Sequence, residues 1–119
     1  MNCLAVGAGG AIGAVLRYLI GLLPLQPQNG FPLNTFLINV AGAFAIGIIA
    51  ALAARNNLDP RLVLFLKTGV CGGFTTFSTF ALETVQLMAR GQSGIAALYV
   101  ILSIVCGVLA VMAADKIFG

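Results

Sequence analysis

Four long apolar runs account for most of the chain: Cys3 to Leu23, Leu33 to Ala54, Leu62 to Ala89 and Ile95 to Ala114. Each is about 20 residues or longer, enough to cross the hydrocarbon of a bilayer at a rise of about 1.5 Å per residue. Hydrophobic residues make up 61% of the 119 positions and charged residues 8%, against roughly 25% charged in an average soluble domain. A soluble core of this size cannot hide so much apolar surface. The runs predict an all-α membrane protein with four transmembrane helices, one domain over residues 1–119. No charged segment precedes the first run, so it is expected to stay as a membrane helix rather than be cleaved as a signal peptide.

Short polar connections separate the runs. Pro24 to Pro32 is turn-rich and uncharged. Arg55 to Arg61 holds Asp59 followed by Pro60, a helix start with a carboxylate N-cap and proline at the first helical position. Small residues recur at close spacing: Gly7, Gly10 and Gly13, the pair Gly9 and Gly13, and the row Ala43, Gly47 and Ala51. Such faces let membrane helices approach closely.

The third run is the odd one. Gly72-Gly73-Phe74-Thr75-Thr76-Phe77-Ser78-Thr79-Phe80 lies inside it. Glycine costs about 1 kcal/mol per helix-interior position relative to alanine, and Ser and Thr divert hydrogen bonds to nearby backbone. The stretch therefore predicts a break in the third helix at mid-membrane. Non-helical backbone at that depth is tolerated only where protein buries it or an aqueous cavity borders it. The break either binds something, lines a path, or is a glycine kink for packing. Free carbonyls there attract a cation, and free N–H groups an anion.

Four further groups sit in apolar surroundings: Arg17, Asn39, Lys67 and Glu83. Intramembrane polar groups usually face the bundle interior, water or each other. Arg17 and Lys67 have a second reading, snorkelling to an interface. Asn39 fits a structural interhelical hydrogen bond as well as a pore. Phe77 and Phe80 read as core packing, or as ring edges whose positive rim suits a small anion. Tyr99, Ser103, Gly107 and Ala110 fall on one face of the fourth run.

Several function classes drop out. Val6-Gly7-Ala8-Gly9-Gly10-Ala11-Ile12-Gly13 imitates a dinucleotide-binding loop. Ile12 stands where the third glycine belongs, and the first acid in the chain is Asp59. The three cysteines, Cys3, Cys71 and Cys106, lack ligand-like spacing, and there is no His. Hydrolytic and redox chemistry have no visible apparatus, so an enzyme is not expected. The six basic residues are scattered among apolar runs, which disfavours a nucleic-acid surface. They also barely distinguish the two sides. Arg55, Arg61, Lys67 and Lys116 fall with the termini, Arg17 and Arg90 opposite. This weak positive-inside bias suits insertion in both orientations, and two opposed copies would pair about an axis in the membrane plane.

Three motifs, taken together, resemble the Fluc (CrcB) family of fluoride channels. They are Gly9-Gly10-Ala11-Ile12-Gly13-Ala14-Val15-Leu16-Arg17-Tyr18, Asn34-Thr35-Phe36-Leu37-Ile38-Asn39-Val40-Ala41-Gly42, and Gly69-Val70-Cys71-Gly72-Gly73-Phe74-Thr75-Thr76-Phe77-Ser78-Thr79-Phe80. The match runs in order along essentially the whole chain, and its third motif is the most specific. The resemblance implies an antiparallel, dual-topology homodimer in the bacterial inner membrane, with two pores at the subunit interface. It implies passive, selective export of fluoride. It implies a structural sodium ion, not transported, held by the backbone carbonyls of Gly72 and Thr75. Phe77 and Phe80 would line the pores with Asn39, and Arg17 would stand near the vestibule. Ser78, Thr79, Glu83, Tyr99 and Ser103 would form a polar track beside the phenylalanines. Two rivals stand against this. A small dual-topology proton-coupled exporter would need an acid in its first span, which here holds Arg17 and no acid. A non-transporting assembly subunit would explain the small-residue faces but not the hydroxyl-rich break.

Overall fold

The computed structural model describes residues 1–119. Helix α1 is Asn2–Gly21 and α2 is Leu33–Arg55. The third run begins with one α-helical turn, α3 (Pro60–Val63), and continues as a π-helical stretch, Leu64–Cys71. A further turn, α4 (Gly72–Phe74), precedes α5 (Phe77–Ala89), and α6 (Ser93–Phe118) closes the chain. Four segments are long and apolar enough to cross a membrane: Asn2–Gly21, Leu33–Arg55, Pro60–Ala89 and Ser93–Phe118.

The local signals act as their chemistry requires. The Asp59 side chain accepts from the Arg61 N–H at 2.9 Å, with Pro60 at the first helical position. Gly30 and Gly91 carry φ of 87° and 76°, left-handed backbone that turns the chain between α1 and α2 and between α5 and α6. These two turns lie together, because Gln92 Nε2 donates to the Asn29 carbonyl at 2.8 Å. At the other end of the bundle, Arg55 Nη1 donates to the Phe118 carbonyl at 3.1 Å. Asn34 Nδ2 reaches the Ile20 and Leu23 carbonyls at 3.0 and 2.9 Å and so covers the end of α1.

Glycine decides how α1 packs. It lies against the π-helical stretch and α4, backbone on backbone. A Cβ added to Gly69 would sit 2.9 Å from the Gly9 Cα, and one added to Gly13 would strike the Val70 carbonyl and come within 2.7 Å of the Phe74 N. One added to Gly73 would run into the Gly10 backbone. Gly9 thus faces Gly69 and Gly10 faces Gly73, while Gly13 sits on the backbone of Val70 and Phe74. Gly7, on another face of α1, has open space around it. Helix α2 packs on α6, where a Cβ on Gly47 would lie 2.7 Å from the Ala114 Cβ.

The remaining core is aromatic. Phe31, Leu87, Ala96 and Tyr99 form one buried cluster, with Phe36, Phe80 and Leu102 packed against it. Phe80 and Phe31 meet the Tyr99 ring edge-on, with centroids 5.0 and 5.5 Å away.

The interruption of the third run falls later than the glycines suggested. Gly72 and Gly73 are helical, and the helical backbone stops at Phe74. Thr75 (φ −81°, ψ 156°) and Thr76 (φ −148°, ψ 115°) are extended, and α5 restarts at Phe77. Gly73 is needed for close approach to α1, whereas Gly72 faces open space. The chain can leave the helix at the threonines because the Asn39 side chain satisfies both backbone groups of Thr76.

Candidate functional site

Three helices converge on Thr75 and Thr76. The Asn39 amide, from α2, faces the Thr76 backbone. Its Nδ2 donates to the Thr76 carbonyl at 3.1 Å, and its Oδ1 accepts from the Thr76 N–H at 2.8 Å. This reciprocal pair imitates a neighbouring β-strand and accounts for both polar groups of one extended residue. The Thr76 hydroxyl then caps α5 by accepting from the Thr79 N–H at 3.2 Å. The Thr75 hydroxyl folds back to the Cys71 carbonyl at 2.9 Å. From α1, Arg17 Nε donates to the Gly73 carbonyl at 3.1 Å. A cation on the carbonyl end of a helical turn is favourably placed. Arg17 thus points into the bundle, and the snorkelling alternative falls away. Lys67 is exposed on the π-helical stretch.

Close approach fits α2 to this region. A Cβ on Gly42 would collide with the Thr75 side-chain methyl and lie 3.2 Å from the Phe74 ring. Asn39, one helical turn earlier, is thereby held within reach of Thr76.

A second cluster surrounds Glu83. Its two carboxylate oxygens accept from different hydroxyls: Oε1 from Tyr99 at 2.9 Å and Oε2 from Thr35 at 3.1 Å. Tyr99 is 0% exposed and Thr35 7%. The two hydrogen bonds fix the Glu83 carboxyl group between α2 and α6. Thr35 was not among the residues singled out from the sequence as site candidates. It stands four positions before Asn39, hence on the same face of α2, and that spacing was the available signal.

A cavity of about 420 Å³ joins these groups. Its walls include Asn39, Thr75, Thr76, Phe77, Phe80 and Ser103, with Gly42, Cys71 and Gly72. The Ser103 Oγ is buried and has no hydrogen-bond partner. Phe77 and Phe80 lie with ring centroids 5.8 Å apart. Phe80 is half-buried against Tyr99, whereas Phe77 is 78% exposed. Gly72 is also exposed, with free space where a side chain would project. Ser78 is exposed, within 3.5 Å of the Thr76 hydroxyl, and Thr79 is half-buried. The cavity therefore gathers Asn39, Thr75, Phe77, Phe80 and Ser103. Tyr99 and Glu83 do not line it: Tyr99 packs behind Phe80 and bonds Glu83, and Arg17 reaches the break from the α1 side.

Comparison with known proteins agrees with this architecture. Residues 4–114 match the family described as CrcB-like protein, Camphor Resistance (CrcB). A protein named fluoride-specific ion channel FluC from Nitrobacter winogradskyi is 48% identical over 118 residues, covering 96% of this chain and 92% of the relative. Proteins of the same name from Agrobacterium fabrum and Azobacteroides pseudotrichonymphae are 44% and 45% identical. These alignments cover 95% and 90% of this chain and 92% and 87% of the relatives. Four apolar helices, a hydroxyl-rich interruption in the third and a match over nearly the full length lead to one conclusion: the chain is a multi-pass membrane protein of the CrcB family.

Proposed function

We propose that this protein is a passive, fluoride-selective channel of the bacterial inner membrane, exporting cytoplasmic fluoride. It would work as an antiparallel dual-topology homodimer with two pores at the subunit interface. The observation that carries the reading is the cavity in which an exposed Phe77, Phe80, Asn39 and an unpartnered Ser103 hydroxyl meet beside the break. The relatives' names supply the ion.

Fluoride is small and holds its water tightly, so a path must replace that water with donors. Ser103 offers an O–H with no competing acceptor. Each Asn39 Nδ2 hydrogen is a donor, and only one is taken by Thr76. The ring edges of Phe77 and Phe80 add positive rims in a dry wall. An anion arriving at Thr35 and Tyr99 competes with the Glu83 carboxylate for the same two hydroxyls. Phe77 and Gly72, open in the single chain, are the surfaces a second copy would cover.

The same reading includes a structural sodium ion held by the carbonyls of Gly72 and Thr75. The residues fit. The Thr75 carbonyl takes no hydrogen bond from the protein, and the Thr76 N–H that a continuous helix would give to Gly72 goes to Asn39 instead. Carbonyl oxygens are hard ligands suited to such a cation. When bound, the ion would supply positive charge beside the break, held by the Gly72 and Thr75 carbonyls.

Efflux from liposomes holding the purified protein tests the function. Fluoride-selective efflux without a pH gradient is the expected result. Fluoride efflux that needs a proton gradient would establish an exporter, and no flux would establish an assembly subunit.

A further inference from the structure

The carbonyls at the break fall into two sets. Gly73 and Thr76 have side-chain donors on them: Arg17 Nε at 3.1 Å and Asn39 Nδ2 at 3.1 Å. Gly72 and Thr75 do not. The two N–H groups that a helical turn would offer Gly72 are those of Thr75 and Thr76. The first goes to the Cys71 carbonyl at 3.0 Å, and the second to Asn39 Oδ1 at 2.8 Å. The Thr75 carbonyl receives nothing.

We infer that Asn39 is a positioning residue for the cation site, acting through the Thr76 backbone. Its Oδ1 takes the Thr76 N–H and so withholds that donor from the Gly72 carbonyl. Its Nδ2 occupies the Thr76 carbonyl and removes a competing ligand. One planar amide does both because donor and acceptor lie side by side on it, matched to the N–H and C=O of one extended residue. Arg17 complements this sorting. Its permanent charge on the Gly73 carbonyl keeps a second cation from settling there. The inference rests on the sodium reading above and adds the group that selects the ligands.

The test uses the purified full-length protein in detergent, unfolded thermally in sodium chloride and in N-methylglucamine chloride of equal ionic strength. Wild type is expected to melt higher in sodium by about 4 °C or more. Asn39→Ala returns the Thr76 N–H to Gly72, and more than half of the sodium-dependent difference should disappear. Asn39→Asp keeps an acceptor for that N–H, loses the donor and, in its ionised form, adds a negative charge that also favours a cation, so most of the difference should remain. A full sodium response in Asn39→Ala overturns the inference and leaves the sodium reading standing. Loss of the response in folded Asn39→Asp overturns it too, which covers the case in which the alanine variant fails to fold. A wild type indifferent to sodium removes the sodium reading itself, and the inference with it.

Discussion

The α1 side and the α2–α5–α6 side of the molecule are packed by opposite means. On the α1 side, Gly9 meets Gly69, Gly10 meets Gly73 and Gly13 meets the Val70 and Phe74 main chain, and the contact is backbone against backbone. On the other, Phe31, Phe80, Leu87 and Tyr99 fill the space with large side chains, and hydroxyls on Glu83 supply the polar links. The glycine side leaves no room for adjustment and so fixes where the third helical segment runs. The aromatic side carries the groups that chemistry would use. Between them lie Thr75 and Thr76: Asn39, reaching over from α2, satisfies the Thr76 backbone, and the Thr75 carbonyl is left without a donor.

This contrast breaks most sharply at Gly13. A valine there would drive into the Val70 carbonyl and the Phe74 backbone. Gly13→Val should cost more than about 3 kcal/mol, with little monodisperse protein surviving size-exclusion chromatography. If it assembles normally, the rigid half is not rigid. On the other side the expected losses are graded. Tyr99→Phe removes one of the two donors to Glu83 in a buried setting and should destabilise by about 1–3 kcal/mol, read by thermal unfolding, with fluoride efflux falling alongside. Phe80→Ile gives up an edge-on contact with Tyr99 and should cost about 1 kcal/mol. Phe77→Ile removes fewer contacts within the chain, where that ring is 78% exposed, so it should cost less thermal stability than Phe80→Ile while lowering efflux. Equal stability losses in the two phenylalanine variants would erase the distinction drawn between them. The smallest effect belongs to Gly7→Ala. Nothing lies near the added methyl, and the gain in helix propensity is at most about 1 kcal/mol. Its melting temperature should stay level or rise.

Much of this was legible beforehand. Hydropathy located the four helical segments because the bilayer demands about 20 apolar residues of each. The hydroxyl-rich stretch marked the interruption, and the chemistry of Ser and Thr explained why. The two extended residues, Thr75 and Thr76, fall inside that stretch, but the glycine pair before them is helical: glycine weakens a helix by propensity yet also serves close packing. Gly72 and Gly73 are both helical, and Gly73 packs on the Gly10 backbone of α1. The π-helical stretch had no signal, because its register follows from docking on α1 rather than from its own residues. Arg17 was visible as an expensive charge, yet its partner is a backbone carbonyl 56 positions away, which carries no side-chain code. Thr35 was hidden for a related reason: a lone threonine in an apolar helix is usually a packing residue until a carboxylate is found opposite it.

The glycine contact also has an evolutionary consequence. Where two side chains touch, bulk can pass from one partner to the other, and paired substitutions can drift through intermediate states. Between Gly9 and Gly69 the obstacle to any added methyl is main chain on the facing helix, which no second substitution can shrink. That seam cannot be rewritten by compensation. It is kept or lost as a unit, and change must accumulate on the aromatic side, where partners can trade volume.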